Sequence, residues 1–85
     1  MGSEFEVGVK LFASLREAVG RDEVAVRLPA GATTRDLLDS LCRTWPAVAA
    51  QRPALAVAVN LELARADRRL EPGDEVALLP PVGGG

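Results

Sequence analysis

Histidine and tyrosine are both missing from this 85-residue chain, and cysteine occurs once, at Cys42. Without imidazole there is no Ser-His-Asp or Cys-His arrangement, no histidine general base and none of the usual zinc ligand sets. A lone cysteine rules out an intrachain disulfide, so stability must rest on packing, and a reducing compartment fits. Aromatic residues supply only 4% of the chain. No run approaches the roughly 20 apolar residues needed to cross a bilayer, and the first residues lack the basic-then-apolar layout of a secretory leader. The expectation is a cytoplasmic protein with no membrane partner. An excess of one charge sign is missing too: 12 acidic and 10 basic residues leave a net charge of -2. They are dispersed along the chain without a basic stripe, so nucleic acid is not an expected partner.

What remains is 48% apolar, mostly Leu, Val and Ala, and suffices for one compact core. Met1 to Phe5 read as a cloning remnant, because Gly-Ser-Glu-Phe is what two common cloning sites encode in tandem; they are set aside. The domain is then expected over 6–80, with a tail over 81–85. Glu6 to Ala13 alternates through Val7, Val9 and Leu11, the period-2 pattern of a half-buried strand. A short helical turn, Leu15 to Val19, closes at Gly20, and Glu23 to Leu28 alternates again as a second strand paired with the first. Thr33 and Asp36 have capping-box spacing, and Leu37, Leu38, Leu41, Cys42 and Trp45 fall on one face of a main helix. Pro46 should interrupt that helix, leaving a loose turn before Pro53. Ala54 to Asn60 reads as a third strand, Leu61 to Leu63 as a short fourth, Pro72-Gly73 as a turn and Glu75 to Leu79 as the last strand. Strand, strand, helix, strand, short strand, strand is the order of an α+β β-grasp (ubiquitin-like) domain. It implies a mixed four- to five-stranded sheet with one main helix packed on it.

The sequence ends Pro80-Pro81-Val82-Gly83-Gly84-Gly85. Prolines cannot extend a sheet ladder, and glycines have no side chain by which packing could hold them, so a flexible, projecting C-terminal tail is expected. A strip without Cβ atoms suits a narrow channel on another protein, with the Gly85 carboxylate as the reactive group. Fraying is the ordinary reading of such an end. Here a proline pair leaving the last strand of a β-grasp order argues for use instead.

The motifs Val9-Lys10-Leu11-Phe12-Ala13, Leu15-Arg16-Glu17 with Gly20, Ala58-Val59-Asn60, Leu70 to Ala77, and Pro80-Pro81-Val82 with closing glycines together resemble the MoaD-like small subunit of molybdopterin synthase, a ubiquitin-like sulfur carrier. Gly83 departs from that pattern, in which serine, threonine or alanine is frequent. The resemblance implies that the chain binds no cofactor and is not itself an enzyme. An ATP-using, ubiquitin-activating-like enzyme would adenylate the Gly85 carboxylate, and a sulfur donor protein would convert it to a thiocarboxylate. Gly84-Gly85 would then enter the synthase large subunit, within a heterotetramer, and pass sulfur to a cyclic pterin precursor in molybdenum cofactor biosynthesis.

By strand parity Phe12 and Leu79 share faces with Lys10 and Glu75, which leaves two large apolar groups on the outer side of the sheet as a docking patch. The resemblance implies that Phe12, Leu63 and Leu79 contact the large subunit and that Pro80, Pro81, Val82 and Gly83 lead the tail into it. Cys42 and Trp45 read as core. Arg65, Arg68 and Arg69 read as a solvated mixed-charge cluster, and Asn60 as a turn residue bonded to nearby backbone. Three rival functions stay open: a sulfur carrier for thiazole synthesis, a ubiquitin-like protein modifier, and a passive interaction domain. The single lysine, Lys10, bears on the second by limiting chain building.

Overall fold

Alternation between apolar and polar residues sets the strands of the computed structural model, which describes residues 3–80. Strand β1 (Glu4–Leu11) turns Phe5, Val7, Val9 and Leu11 inward, and β2 (Glu23–Pro29) turns in Val24, Val26 and Leu28. The two pair antiparallel from Glu4 opposite Pro29 to Lys10 opposite Glu23. β1 therefore starts two residues ahead of the alternation that begins at Glu6, and Phe5 packs half-buried against the core. It also stops earlier, at Leu11 rather than Ala13, because Phe12 becomes the N-cap of helix α1 (Ala13–Val19). Ala13 is left-handed at φ 51°, so the chain cannot continue in extended form there. Gly20 ends α1 at φ 83°, the left-handed C-cap that glycine adopts without steric cost.

The main helix α2 (Thr34–Thr44) begins with the complete capping box: Asp36 N–H donates to Thr33 Oγ1, and Thr33 N–H donates to the Asp36 carboxylate at 2.9 Å. Leu37 and Leu41 are buried, whereas Leu38, Cys42 and Trp45 pack half-buried at the margin of the core. Pro46 does not end helical structure, contrary to expectation. It starts helix α3 (Pro46–Gln51), because proline's missing donor is harmless at the first helical position, and a 3-10 turn follows over Arg52–Ala54. The third strand is thereby shortened to β3 (Ala56–Val59), which leads to β4 (Glu62–Leu63) and β5 (Glu75–Leu79).

The sheet order is β2-β1-β5-β3-β4, with β5 parallel to β1 and antiparallel to β3. Core-facing side chains of the central strands, among them Val9, Val76, Leu78 and Val59, meet Leu15, Leu37, Leu41, Val48 and Leu70 in one cluster. Each such fully buried aliphatic side chain contributes about 2 kcal/mol relative to an exposed one. Thr34 is the buried polar residue among them, and its hydroxyl is satisfied by donation to the Arg65 carbonyl. No described helix is long and apolar enough to cross a membrane. The arrangement is the five-stranded mixed sheet with packed helices that defines a ubiquitin-like β-grasp.

Candidate functional site

Everything about the expected site depends on how β5 is held and where it releases the chain. At its start, Glu71-Pro72-Gly73-Asp74 forms the turn that the sequence suggests, with Gly73 at φ 90° and Asp74 N–H donating to the Glu71 carbonyl at 3.1 Å. Asn60 then binds the first strand residue twice. Its backbone N–H donates to the Glu75 carbonyl at 2.8 Å, and its side-chain Oδ1 accepts from the Glu75 N–H at 3.0 Å. The Asn60 side chain completes the clamp by donating through Nδ2 to Asp74 Oδ1 at 2.9 Å.

Asp74 Oδ2 accepts from the Glu71 N–H at 2.8 Å and from Arg68 Nη1 at 3.2 Å. Burial alone would push the Asp74 carboxyl up. The Glu71 N–H, Asn60 and Arg68 together outweigh it and hold the group below its ordinary value of 3.8. Asn60 thus bonds to backbone as the sequence suggests, and it also reaches a carboxylate fourteen positions away, which local turn chemistry did not signal. Of the arginines expected to be merely solvated, Arg65 is, while Arg68 is tied into the clamp and its Nη1 also donates to the Arg69 carbonyl at 2.6 Å.

At the other end, Leu79 pairs with Ala56 and Pro80 follows half-buried. Proline offers no donor, so the ladder stops there. Pro81, Val82, Gly83, Gly84 and Gly85 lie outside the described residues.

The pairing registers decide which expected docking residues share a surface. Leu63 faces Ala58, Ala58 faces Ala77, and Ala77 faces Lys10, so these residues form one row on the face away from the helices. Leu79 and Ala56 form the next row on that face. Leu63 is 76% exposed and Leu79 half-buried. With alanines between them, the two leucines stand above a shallow apolar floor. Phe12 is a correction: it does not share a strand face with Lys10, because it lies past the end of β1. It is nonetheless 42% exposed, one residue beyond the Leu11–Leu78 pair and so at the same end of the sheet as Leu79.

Leu61, 98% exposed, was missed. It was expected to begin the fourth strand, but it occupies a two-residue hairpin loop with Asn60 between the paired Val59 and Glu62. Both loop residues have positive φ, 52° and 71°, the pairing favoured in hairpins because its twist matches that of the strands. The usual sequence signal is Asn-Gly; Asn60-Leu61 carries half of it.

A ubiquitin-like fold whose last strand runs directly to a diglycine end is the architecture of a carrier protein that works through its terminus. The chain belongs to the ThiS family, whose model matches residues 9–85. It is 41% identical to the molybdopterin synthase sulfur carrier subunit of Escherichia coli over 81 residues, 93% of this chain and 99% of that protein. The Arabidopsis thaliana protein of the same name is 34% identical over 83 residues, covering 98% of this chain and 86% of its own. Among solved structures, small archaeal modifier protein 1 from Haloferax volcanii superposes with a TM-score of 0.81 at 33% identity, covering 92% of this chain and 99% of that one. One chain of the complex of subunits 1 and 2 of the Helicobacter pylori molybdopterin-converting factor shares the fold, with a TM-score of 0.69 at 22% identity, covering 95% and 100%.

Proposed function

We propose that this chain is a sulfur carrier of the molybdopterin synthase small-subunit type, active through a thiocarboxylate at Gly85. The observation that carries the reading is the extent of the family match, which includes the diglycine end itself and not just the folded body. The chemistry suits a protein without an acid or base of its own. A carboxylate is a poor acyl donor until it bears a leaving group, so an activating enzyme would join it to AMP from ATP, releasing pyrophosphate. A sulfur donor would then displace AMP. The thiocarboxylate would hand its sulfur to a pterin precursor inside the large subunit, with this chain supplying reach and register while the partners supply catalysis.

In that complex the Leu63, Leu79 and Phe12 side chains would rest on the large subunit, and Pro80 to Gly83 would lead into its channel. The cytoplasm is the compartment consistent with a free thiol and a labile thioacid. To test the reading, the untagged chain is copurified from its own cells and its intact mass measured. Exchange of one oxygen for sulfur at the terminus, together with a bound synthase large subunit, is the expected result. A terminus that is always an ordinary carboxylate, with no such partner, would defeat it.

A second reading has its own observation: the structural match to small archaeal modifier protein 1. On that reading Gly85 would end in isopeptide linkage to lysines of other proteins, and the same purification would yield covalent adducts resistant to denaturant.

A further inference from the structure

β2 is an edge strand seven residues long, and among the described residues only β1 pairs with it. Its free side can be read residue by residue. Leu11 N–H donates to the Asp22 carbonyl, and Ala30 N–H donates to the Ser3 carbonyl. An antiparallel ladder alternates, so even-numbered positions from 22 to 30 spend their backbone groups on β1. The N–H and C=O groups of Glu23, Ala25 and Arg27 therefore point outward, away from the sheet, and so does the carbonyl of Pro29. This edge carries none of the usual blunting devices in its middle: no proline, no bulge, no covering segment. Proline appears only at its end.

The side chains are self-complementary. We propose that β2 pairs with β2 of a second copy of this chain, antiparallel about a two-fold axis at Ala25, to form a continuous sheet across two protomers. In that register Ala25 exchanges both hydrogen bonds with Ala25 of the second copy. Glu23 lies opposite Arg27 of the second copy, and Arg27 opposite its Glu23, so both flanking pairs combine hydrogen bonding with opposite charge. Centring the axis two residues either way sets Glu23 against Glu23 or Arg27 against Arg27. Pro29, which cannot donate, falls where the pairing ends. Arg27 already touches Glu4 at 3.1 Å, but that pair is exposed, so the guanidinium is free to be shared.

The arrangement leaves the Leu63 and Leu79 face and the β4 edge open, and because the strands run antiparallel it sends the two chain ends out at opposite ends of the joined sheet. It is independent of the sulfur-carrier reading.

The test is sedimentation velocity of the full-length chain up to about 1 mM, the range of the weakest specific contacts. A concentration-dependent dimer is expected. Ala25→Pro should abolish it while circular dichroism stays native, since the removed N–H is not used within the fold. Arg27→Glu should weaken association by about tenfold, and adding Glu23→Arg to the same chain should restore it, because the double exchange rebuilds both opposite-charge pairs. A chain that is monomeric throughout overturns the proposal. So does a dimer indifferent to Ala25→Pro, or one that the double exchange fails to restore.

Discussion

The two ends of β5 are built from opposite materials. At its start, Asn60, Asp74 and Arg68 converge on Glu71 and Glu75 through a chain of hydrogen bonds shorter than about 3.2 Å. At its finish, Leu79 takes one last pairing and Pro80 withholds a donor. One end is over-determined and the other is released. The contrast teaches that stability and delivery are separable in this molecule, and four perturbations would break or sharpen it.

The largest effect is expected beyond the finish. Deleting Gly85 withdraws the terminal carbonyl by about 3.5 Å along an extended chain, and sulfur transfer in a reconstituted assay should fall to background while the melting temperature is unchanged. Transfer retained within a few-fold would remove the premise that the end of the chain must reach a fixed point.

Next comes the start. Asp74→Asn keeps the shape but loses charge-assisted acceptance from Arg68 and the Glu71 N–H, and urea denaturation should show a loss of about 2 kcal/mol. The pH dependence has a definite sign. Because the folded carboxyl is held below 3.8, its contribution is present above that value and vanishes as pH falls through the lower folded value. The gap between wild type and Asp74→Asn should therefore be constant near neutrality and close in acid. A gap that widened on acidification would mean the clamp is wrongly drawn.

Third, Leu63→Asp and Leu79→Asp should each weaken binding to a large subunit by roughly tenfold or more, as charge is buried in an apolar contact. Leu63→Asp should leave the fold nearly as stable, since its side chain is largely exposed. Equal affinities by calorimetry would assign the outer face no part in docking.

The smallest effect belongs to the hairpin loop. Leu61→Gly relieves a left-handed leucine at φ 71° and adds chain entropy to the unfolded state. A net gain of about 0.5 kcal/mol is expected in thermal unfolding. A loss would mean that the leucine makes contacts its exposure does not reveal.

Much of this was readable in advance because local chemistry and global fold agree. Thr33 and Asp36 announce a helix start that the structure realises in both hydrogen bonds, and Pro72-Gly73 announces a turn. The failures occur where one signal has two meanings. Proline stops a helix from its interior but starts one from the first position, and Pro46 took the second role. Alternation continued through Phe12 on paper, yet the ladder had run out of partners at Leu11. Leu61 has apolar character without a left-handed preference, so nothing local places it in a loop. The Asn60–Asp74 bond and the parallel union of β1 with β5 depend on long-range pairing that no window of sequence displays.

That parallel union has a consequence for how the protein is made. The strand at the middle of the sheet is the last to leave the ribosome, so until Glu75–Leu79 emerges the neighbouring strands have an empty slot between them. A nascent or prematurely terminated chain would then lack its keystone and be cleared as unfolded polypeptide. It would not persist as a well-formed decoy able to occupy partners without cargo.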